Sequence, residues 1–335
     1  MDSAIVVTNQ FDGVWPFTAD FLHGEWKKQG GVEFIRFKSG EEKPLNLVIG
    51  DMAKIKRLVS LGYKITPETL KALPALEELA IAGAAITEDA AAFAESNNIC
   101  VYRHRNEGQW KESVAECAVG LTICGLRRIP QLYLAMRSDL SVWDYTHPSG
   151  VGVPGQRGQQ YGDDSRFTNG TVSGKRIRIV GAGNIASLYG KIVACMGADV
   201  AAYDPYVPDA SMALAGVRRE FRLEQLVADA EIFAPMVPLT PATTGLITAD
   251  LIDMLPKGCL VVLVTRANIC DMKAVRRRVM NDEIALAADV FDIEPLPFDD
   301  GLMNRHNVAH TPHIAGRTRL ANENYAAGLM EQFKR

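Results

Sequence analysis

Arg266 stands in the segment RANICD, Glu294 in DVFDIEP and His313 in TPHIAG, in that order along the last quarter of the chain. Upstream, Gly181-Ala-Gly-Asn-Ile-Ala186 follows directly on the run Arg176 to Val180. An arginine grips a carboxylate with two parallel hydrogen bonds and polarises the carbonyl beside it. A histidine gives a proton to a carbonyl oxygen as hydride arrives, or takes one from a hydroxyl in reverse. A glutamate holds the imidazole and stabilises its protonated form. A glycine turn that opens a helix receives a dinucleotide pyrophosphate. Together these residues propose a nicotinamide site facing a guanidinium, a carboxylate and an imidazole. That set suits reduction of a 2-oxo acid or oxidation of a 2-hydroxy acid.

The glycine turn has the register such a site needs. Gly181 allows the tight turn, Gly183 lets the backbone approach the pyrophosphate, and Ala186 gives close helix–strand packing. A helix beginning near Asn184 would aim its free N–H groups and positive dipole end at the phosphates. Asp204, 21 residues after Gly183, stands at the end of the next strand. Its carboxylate would accept from the adenosine ribose hydroxyls and repel a 2′-phosphate, which favours NAD over NADP.

These groups need a scaffold. In the first ~105 residues, Ala4–Thr8, Leu45–Ile49, Leu79–Ala82 and Ile99–Tyr102 read as strands. Helices are expected from about Ala53, after the Thr66-Pro67-Glu68 start signal, and over Thr87–Ser96. A long amphipathic helix is expected from near Glu112 to about Arg128. Beyond it, Asp144–Asn169 is rich in Gly, Pro, Gln and Asp and without periodicity. It is too long for an ordinary connection, and is either a mobile surface loop or a functional arm. Strands follow at Arg176–Val180, Val200–Tyr203, Ile232–Met236, Leu260–Val264, Ala285–Val290 and Val308–Thr311, with a helix at Ser187–Met196 and a last one over Arg319–Phe333. Alternating strands and helices imply a mostly parallel α/β sheet. In such a sheet chemistry gathers outside the carboxyl ends of the strands, where Arg266, Glu294 and His313 each fall.

The bulk numbers agree. At 335 residues the chain is long enough for two domains. A net charge of −4 argues against a nucleic-acid surface. The run Arg276–Arg278 reads as a solvated helix face. No apolar run reaches the ~20 residues of a spanning helix, and the N-terminus does not read as a signal peptide. Six cysteines without CxxC pairs read as buried, reduced thiols of a cytoplasmic protein. Metal-ligand spacing is absent, so no metal is expected.

With these motifs in place, the chain resembles the NAD-dependent D-2-hydroxyacid dehydrogenases, from about Leu76 to Gly316. The likeness is carried by ESVAECAVGL, SGKRIRIVGAGNIA, YDPY, VPLTPATTGLI, RANICD, DVFDIEP and TPHIAG. The resemblance implies two Rossmann-like parallel-sheet domains. A dinucleotide-binding domain, 106–313, is inserted into a flavodoxin-like substrate domain, 1–105, completed by 314–335. It makes Arg266, Glu294 and His313 the catalytic set. It makes Gly181, Gly183, Asn184, Ile185, Asp204, Pro238, Thr243, Thr265 and Asp289 cofactor contacts, with Asp289 facing the nicotinamide carboxamide. Ala82, Gly83 and Ala84 would bind substrate with Arg266, in a cleft between the domains. The partners implied are a small 2-hydroxy or 2-oxo acid (glycerate, glyoxylate or phosphoglycerate-like) and a second copy of the chain, with neither nucleic acid nor membrane.

Departures from the family pattern cluster on the substrate side. Ala267 and Leu263 stand where the family has Gly and Asn, and the substrate loop reads Ala82-Gly83-Ala84-Ala85-Ile86. Trp110 replaces an Asn, and Arg103, His104 and Arg105 crowd the hinge. An anionic substrate group near Arg103 or Arg105 is one expectation. An NAD(H)-binding sensor or corepressor-like scaffold of low turnover is the competing reading of the whole.

Overall fold

The computed structural model describes residues 2–83, 86–103, 108–147, 149–152, 154–155, 158 and 160–333. The chain divides into two units, 1–110 with 317–335, and 111–316. The sequence expectation sets the breaks at 105/106 and 313/314.

In the first unit the strands are short apolar runs. They are β1 (Ser3–Val7), β2 (Val32–Arg36), β3 (Arg57–Leu61), β4 (Glu78–Ala82) and β5 (Cys100–Arg103). The helices are α1 (Asn9–Val14), α2 (Thr18–Gln29), α3 (Pro67–Lys71) and α4 (Glu88–Ser96). All pairings are parallel, in the order β2-β1-β3-β4-β5. This is the doubly wound order of flavodoxin-like sheets. Successive side chains alternate faces, so Ala4 and Val6 enter one core with Leu58, Leu79 and Ile81, while Ile5 and Val7 enter the other with Val59, Leu61 and Ala80. The second core is closed by α2 and by the last helix of the chain, α12 (Arg319–Met330), through Leu22, Trp26, Tyr325 and Leu329. Each fully buried large apolar side chain contributes about 1.5–3 kcal/mol.

The second unit opens with α5 (Lys111–Arg127) and α6 (Ile129–Ala135). Then come β6 (Arg176–Val180), α7 (Asn184–Cys195), β7 (Asp199–Tyr203), α8 (Asp209–Leu214), β8 (Arg218–Arg219), α9 (Leu223–Ala228) and β9 (Ile232–Pro235). It finishes with α10 (Ala249–Met254), β10 (Leu260–Leu263), α11 (Met272–Met280), β11 (Ala285–Ala288) and β12 (Val308–His310). The sheet order is β12-β11-β10-β9-β6-β7-β8, all parallel. That is the dinucleotide-binding order with a seventh strand added at one edge. Its chain reverses direction across the sheet between β6 and β9. The helix pair α5 and α7 is joined by a Thr122–Tyr189 hydroxyl bond of 2.9 Å.

Several sequence expectations are corrected. Leu45–Ile49 is not a strand; Pro44 starts a 3₁₀ turn over Leu45–Leu47, with Leu47 donating to the Pro44 carbonyl at 3.0 Å. The helix expected from Ala53 is a 3₁₀ turn, Met52–Lys54, running into β3. The central strand β3 was hidden by Ser60, which is buried and bonds the Tyr63 carbonyl at 2.6 Å. α1 and α2 also lie outside the sequence expectations, as does β2, whose Val32–Arg36 is an edge strand of mixed exposure. Of Arg276–Arg278 only Arg277 is on an exposed face, paired with Asp253. Arg276 pairs with Asp292 and Asp300, and Arg278 is buried, bonding the Ile252 and Leu255 carbonyls and Glu283. Of the six cysteines, all free, Cys259 and Cys270 are buried, three are partly buried and Cys195 is exposed.

Candidate active site

Six neighbouring strands of the second unit, β7, β6, β9, β10, β11 and β12, deliver that unit's expected site residues at their carboxyl ends. At about 4.8 Å per strand the row spans roughly 24 Å, enough for an extended dinucleotide.

At β6, Gly181 has φ +98° and donates its N–H to the Tyr203 carbonyl at 2.8 Å. A Cβ there would stand 2.9 Å from Val237 Cγ1 and 3.3 Å from the Met236 backbone. A side chain at 181 would therefore block the turn as well as strain it. Gly183 is extended, and nothing lies within 4 Å of where its Cβ would be, so the backbone is open to a ligand there. The 12-residue α7 starts at Asn184 and presents the first-turn N–H groups of Asn184 and Ile185. Ala186 is buried, as the packing position requires. Farther along α7, Gly190 lets the helix sit against Val217 and Ile179; a Cβ would meet Val217 at 2.7 Å.

Asp204 follows β7. One carboxylate oxygen accepts from Ala182 N at 2.8 Å, and the other from Tyr206 and Val207 N at 2.8 and 3.1 Å. The carboxylate thus ties the β7 exit to the glycine turn. Arg219, at the end of β8, bonds the Asp204 and Val207 carbonyls and pairs with Asp209. Sequence reasoning missed Arg219, since only the sheet brings β8 beside the 204–209 loop. After β9, Thr243 donates to the Pro238 carbonyl at 2.6 Å and accepts from Thr240 N at 2.8 Å, shaping that loop. Thr265 is buried, its hydroxyl on the Pro235 carbonyl at 3.4 Å.

Arg266 is exposed beyond β10 and spends one donor on the Thr265 carbonyl at 2.6 Å. Glu294, beyond β11, accepts from Phe291 N at 2.8 Å through one oxygen. Its other oxygen lies 2.7 Å from Nδ1 of His313, beyond β12. This pair assigns the Nδ1 proton to the Glu294 bond and leaves Nε2 as the nitrogen that exchanges protons. His313 has a left-handed backbone, φ +54°.

Asp289 has no exposed surface. Oδ1 accepts from the Thr311 hydroxyl at 2.5 Å and Ile314 N at 2.8 Å, and Oδ2 from Ala315 N at 2.8 Å. The sequence expectation turns this carboxylate toward a carboxamide; here it holds the 311–315 loop. Nearby, burial and the Asp289 charge push the Cys117 thiol up to about 11, while before β10 burial, helped by the Glu231 charge, pushes Cys259 up to about 12. Thiols so held are protonated and poor nucleophiles.

In the first unit, Ala82 ends β4 and Gly83 has φ +64°; a Cβ there would lie 2.6 Å from the Phe11 ring. Ala84, Ala85, His104 and Arg105 lie outside the described residues. Arg103 is exposed at the end of β5, its carbonyl bonded by Gln332 at 3.1 Å.

Residues 153–315 match the family model described as D-isomer specific 2-hydroxyacid dehydrogenase, NAD binding domain. The chain is 27% identical over 279 residues to a D-3-phosphoglycerate dehydrogenase of Methanocaldococcus jannaschii, covering 83% of this chain and 49% of that one. With the rat D-3-phosphoglycerate dehydrogenase it shares 25% over 307 residues, 91% of this chain and 52% of that one. It therefore spans about half the length of these curated relatives. Among solved structures, the NAD-complexed D-isomer specific 2-hydroxyacid dehydrogenase of Lactobacillus delbrueckii ssp. bulgaricus shares the fold. Its TM-score is 0.70 and identity 17%, with 98% of this chain and 95% of that one covered. The apo D-lactate dehydrogenase of Escherichia coli gives a TM-score of 0.66 at 20% identity, covering 99% and 95%. The stretch 153–315 is thus similar to the NAD binding domain of the D-isomer specific 2-hydroxyacid dehydrogenases.

Proposed function

We propose that this protein is an NAD-dependent oxidoreductase that interconverts a D-2-hydroxy acid and its 2-oxo acid. The observation that carries the reading is the 2.7 Å pairing of His313 Nδ1 with Glu294, on loops of adjoining strands next to that of Arg266. NAD(H), when bound, supplies or accepts the hydride. Gly181, Gly183, Asn184 and Ile185 receive its pyrophosphate. Asp204 Oδ2, with one hydrogen bond made, offers a lone pair to a ribose hydroxyl. The Pro238–Thr243 loop and Thr265 shape the floor between, and Asp289 acts there through the loop it holds.

Arg266 clamps the substrate carboxylate, with Ala82, Gly83 and Ala84 as further substrate contacts. His313 Nε2 hands a proton to the carbonyl oxygen in reduction and takes it back in oxidation. The Glu294 carboxylate keeps the ring oriented through its bond to Nδ1. Glycerate, glyoxylate or phosphoglycerate-like acids are the substrates proposed, the last in keeping with the names of the curated relatives. Arg103 is the proposed partner of an anionic group on the substrate. Its reversal to Glu raises the KM for such an acid, and an unchanged KM counts against it.

We place the protein in the cytoplasm, a reducing compartment in keeping with six free thiols. We also propose a homodimer through the second unit. Tyr133, Leu134, Leu140, Trp143 and Tyr145 are all more than half exposed along one stretch, as expected of an unpaired interface.

The test is loss of NADH absorbance with glyoxylate, hydroxypyruvate, 3-phosphohydroxypyruvate and pyruvate, with NADPH in parallel. Turnover with at least one acid, and preference for NADH, is expected. Tight NADH binding without turnover of any acid overturns the enzyme reading in favour of a sensor.

A further inference from the structure

We infer that Ser113 is a positioning residue for His313, acting from α5 through the backbone of Ala315. The inference rests on the proposed role of His313 as the proton-transfer group.

Ser113 lies in the first turn of α5, buried at 9% exposure. Its hydroxyl donates to the Ala315 carbonyl at 2.5 Å, a contact between residues 202 apart in sequence. The N–H of the same residue, Ala315, donates to Asp289 Oδ2 at 2.8 Å. Ile314 N–H and the Thr311 hydroxyl fill Asp289 Oδ1. Two elements, α5 and β11, therefore grip Ala315 from its carbonyl and its amide sides. His313 lies between Thr311 and Ile314, both held by Asp289 Oδ1, and next but one to the doubly gripped Ala315; its φ of +54° is a conformation a non-glycine residue keeps only when its surroundings hold it. The imidazole reaches Glu294 from that backbone position.

Removing the Ser113 hydroxyl leaves the Ala315 carbonyl, in a residue only 4% exposed, without its donor. The loop then relaxes and the imidazole leaves its bond to Glu294. The glycine turn stands four strands away at β6 and is not part of this network. The chemical step should suffer and cofactor binding should not.

The experiment compares Ser113→Ala and Ser113→Thr, the second retaining a hydroxyl. In Ser113→Ala, kcat should fall about 100-fold, the cost of roughly 1 Å of misplacement. The Kd for NADH, read by fluorescence, should stay unchanged, and Ser113→Thr should recover most of the kcat. Independently of turnover, the proton NMR signal of the His313 Nδ1–H, assigned by its loss in His313→Gln, should vanish in Ser113→Ala and persist in Ser113→Thr. An unchanged kcat and signal in Ser113→Ala overturns the inference. So does a parallel fall of kcat, NADH affinity and Tm that Ser113→Thr does not relieve. Should the wild type turn over no acid, the functional reading fails while the NMR signal still decides the role of Ser113.

Discussion

His313 and Glu294 are separated by 19 residues yet lie 2.7 Å apart, and the chemistry proposed here concentrates in that contact. General acid–base groups contribute about 10²–10⁴-fold, so His313→Ala should lose that factor in kcat. NADH titration should show unchanged affinity; a variant that kept its turnover would remove His313 from the reaction. Glu294→Gln keeps an acceptor for Nδ1 but removes the charge, and should lose less. Because residues acting as a unit are not additive, the double variant should be no slower than His313→Ala alone. Multiplying losses, measured as kcat, would show two independent roles. At this scale the sequence was legible. Arg266, Glu294, His313, Gly181 and Asp204 each stand in a short motif with a chemical reason for its residue type. Ser113, Thr311 and Arg219 were not, because each acts on a partner remote in sequence, a backbone carbonyl for Ser113 and Arg219 and the Asp289 carboxylate for Thr311.

At the scale of elements, the turn between β6 and α7 is where shape and binding coincide. Gly181→Ala combines a positive φ with a 2.9 Å approach to Val237. A cost of about 1–3 kcal/mol in stability is expected for the backbone strain alone. Denaturant unfolding should show it, together with weaker NADH binding; a variant as stable and as tight as wild type would contradict the geometry. The 160–170 segment is fastened differently. Arg166 hydrogen bonds hold the Asp164 carboxyl down at about 2, against an ordinary value of 3.8. A carboxyl depressed in the folded state stabilises it above the unfolded value, and that stability is lost as pH falls from about 4 to about 2. The pair is partly solvated, so the effect is small. The stability gap between wild type and Asp164→Asn should therefore be present at pH 6 and close between pH 4 and 2. A gap independent of pH would mean that Asp164 acts by packing instead.

At the scale of the molecule, exposed apolar residues on and after α6 call for cover. Leu134→Glu, at a position 60% exposed, should cost the monomer little. It should convert a dimer to a monomer in sedimentation velocity, whereas a wild type that sediments as a monomer would dismiss the dimer. Two parallel α/β units were readable from strands that alternate with helices. β6, β7 and β9 to β12 were placed nearly to the residue, because strands buried on both faces are continuous apolar runs. β2 and β3 escaped, since an edge strand and a strand with a buried serine break that pattern. By itself, then, the sequence determined the residue types, the glycine turn and the family resemblance, which depend on local chemistry and spacing along the chain. Only the tertiary structure decided that Asp289 holds the 311–315 loop, that Arg278 is buried, and that Ser113 and Asp289 share Ala315. Hydrogen bonds between residues tens to hundreds of positions apart follow from strand order and helix packing, which leave no periodic trace in the sequence.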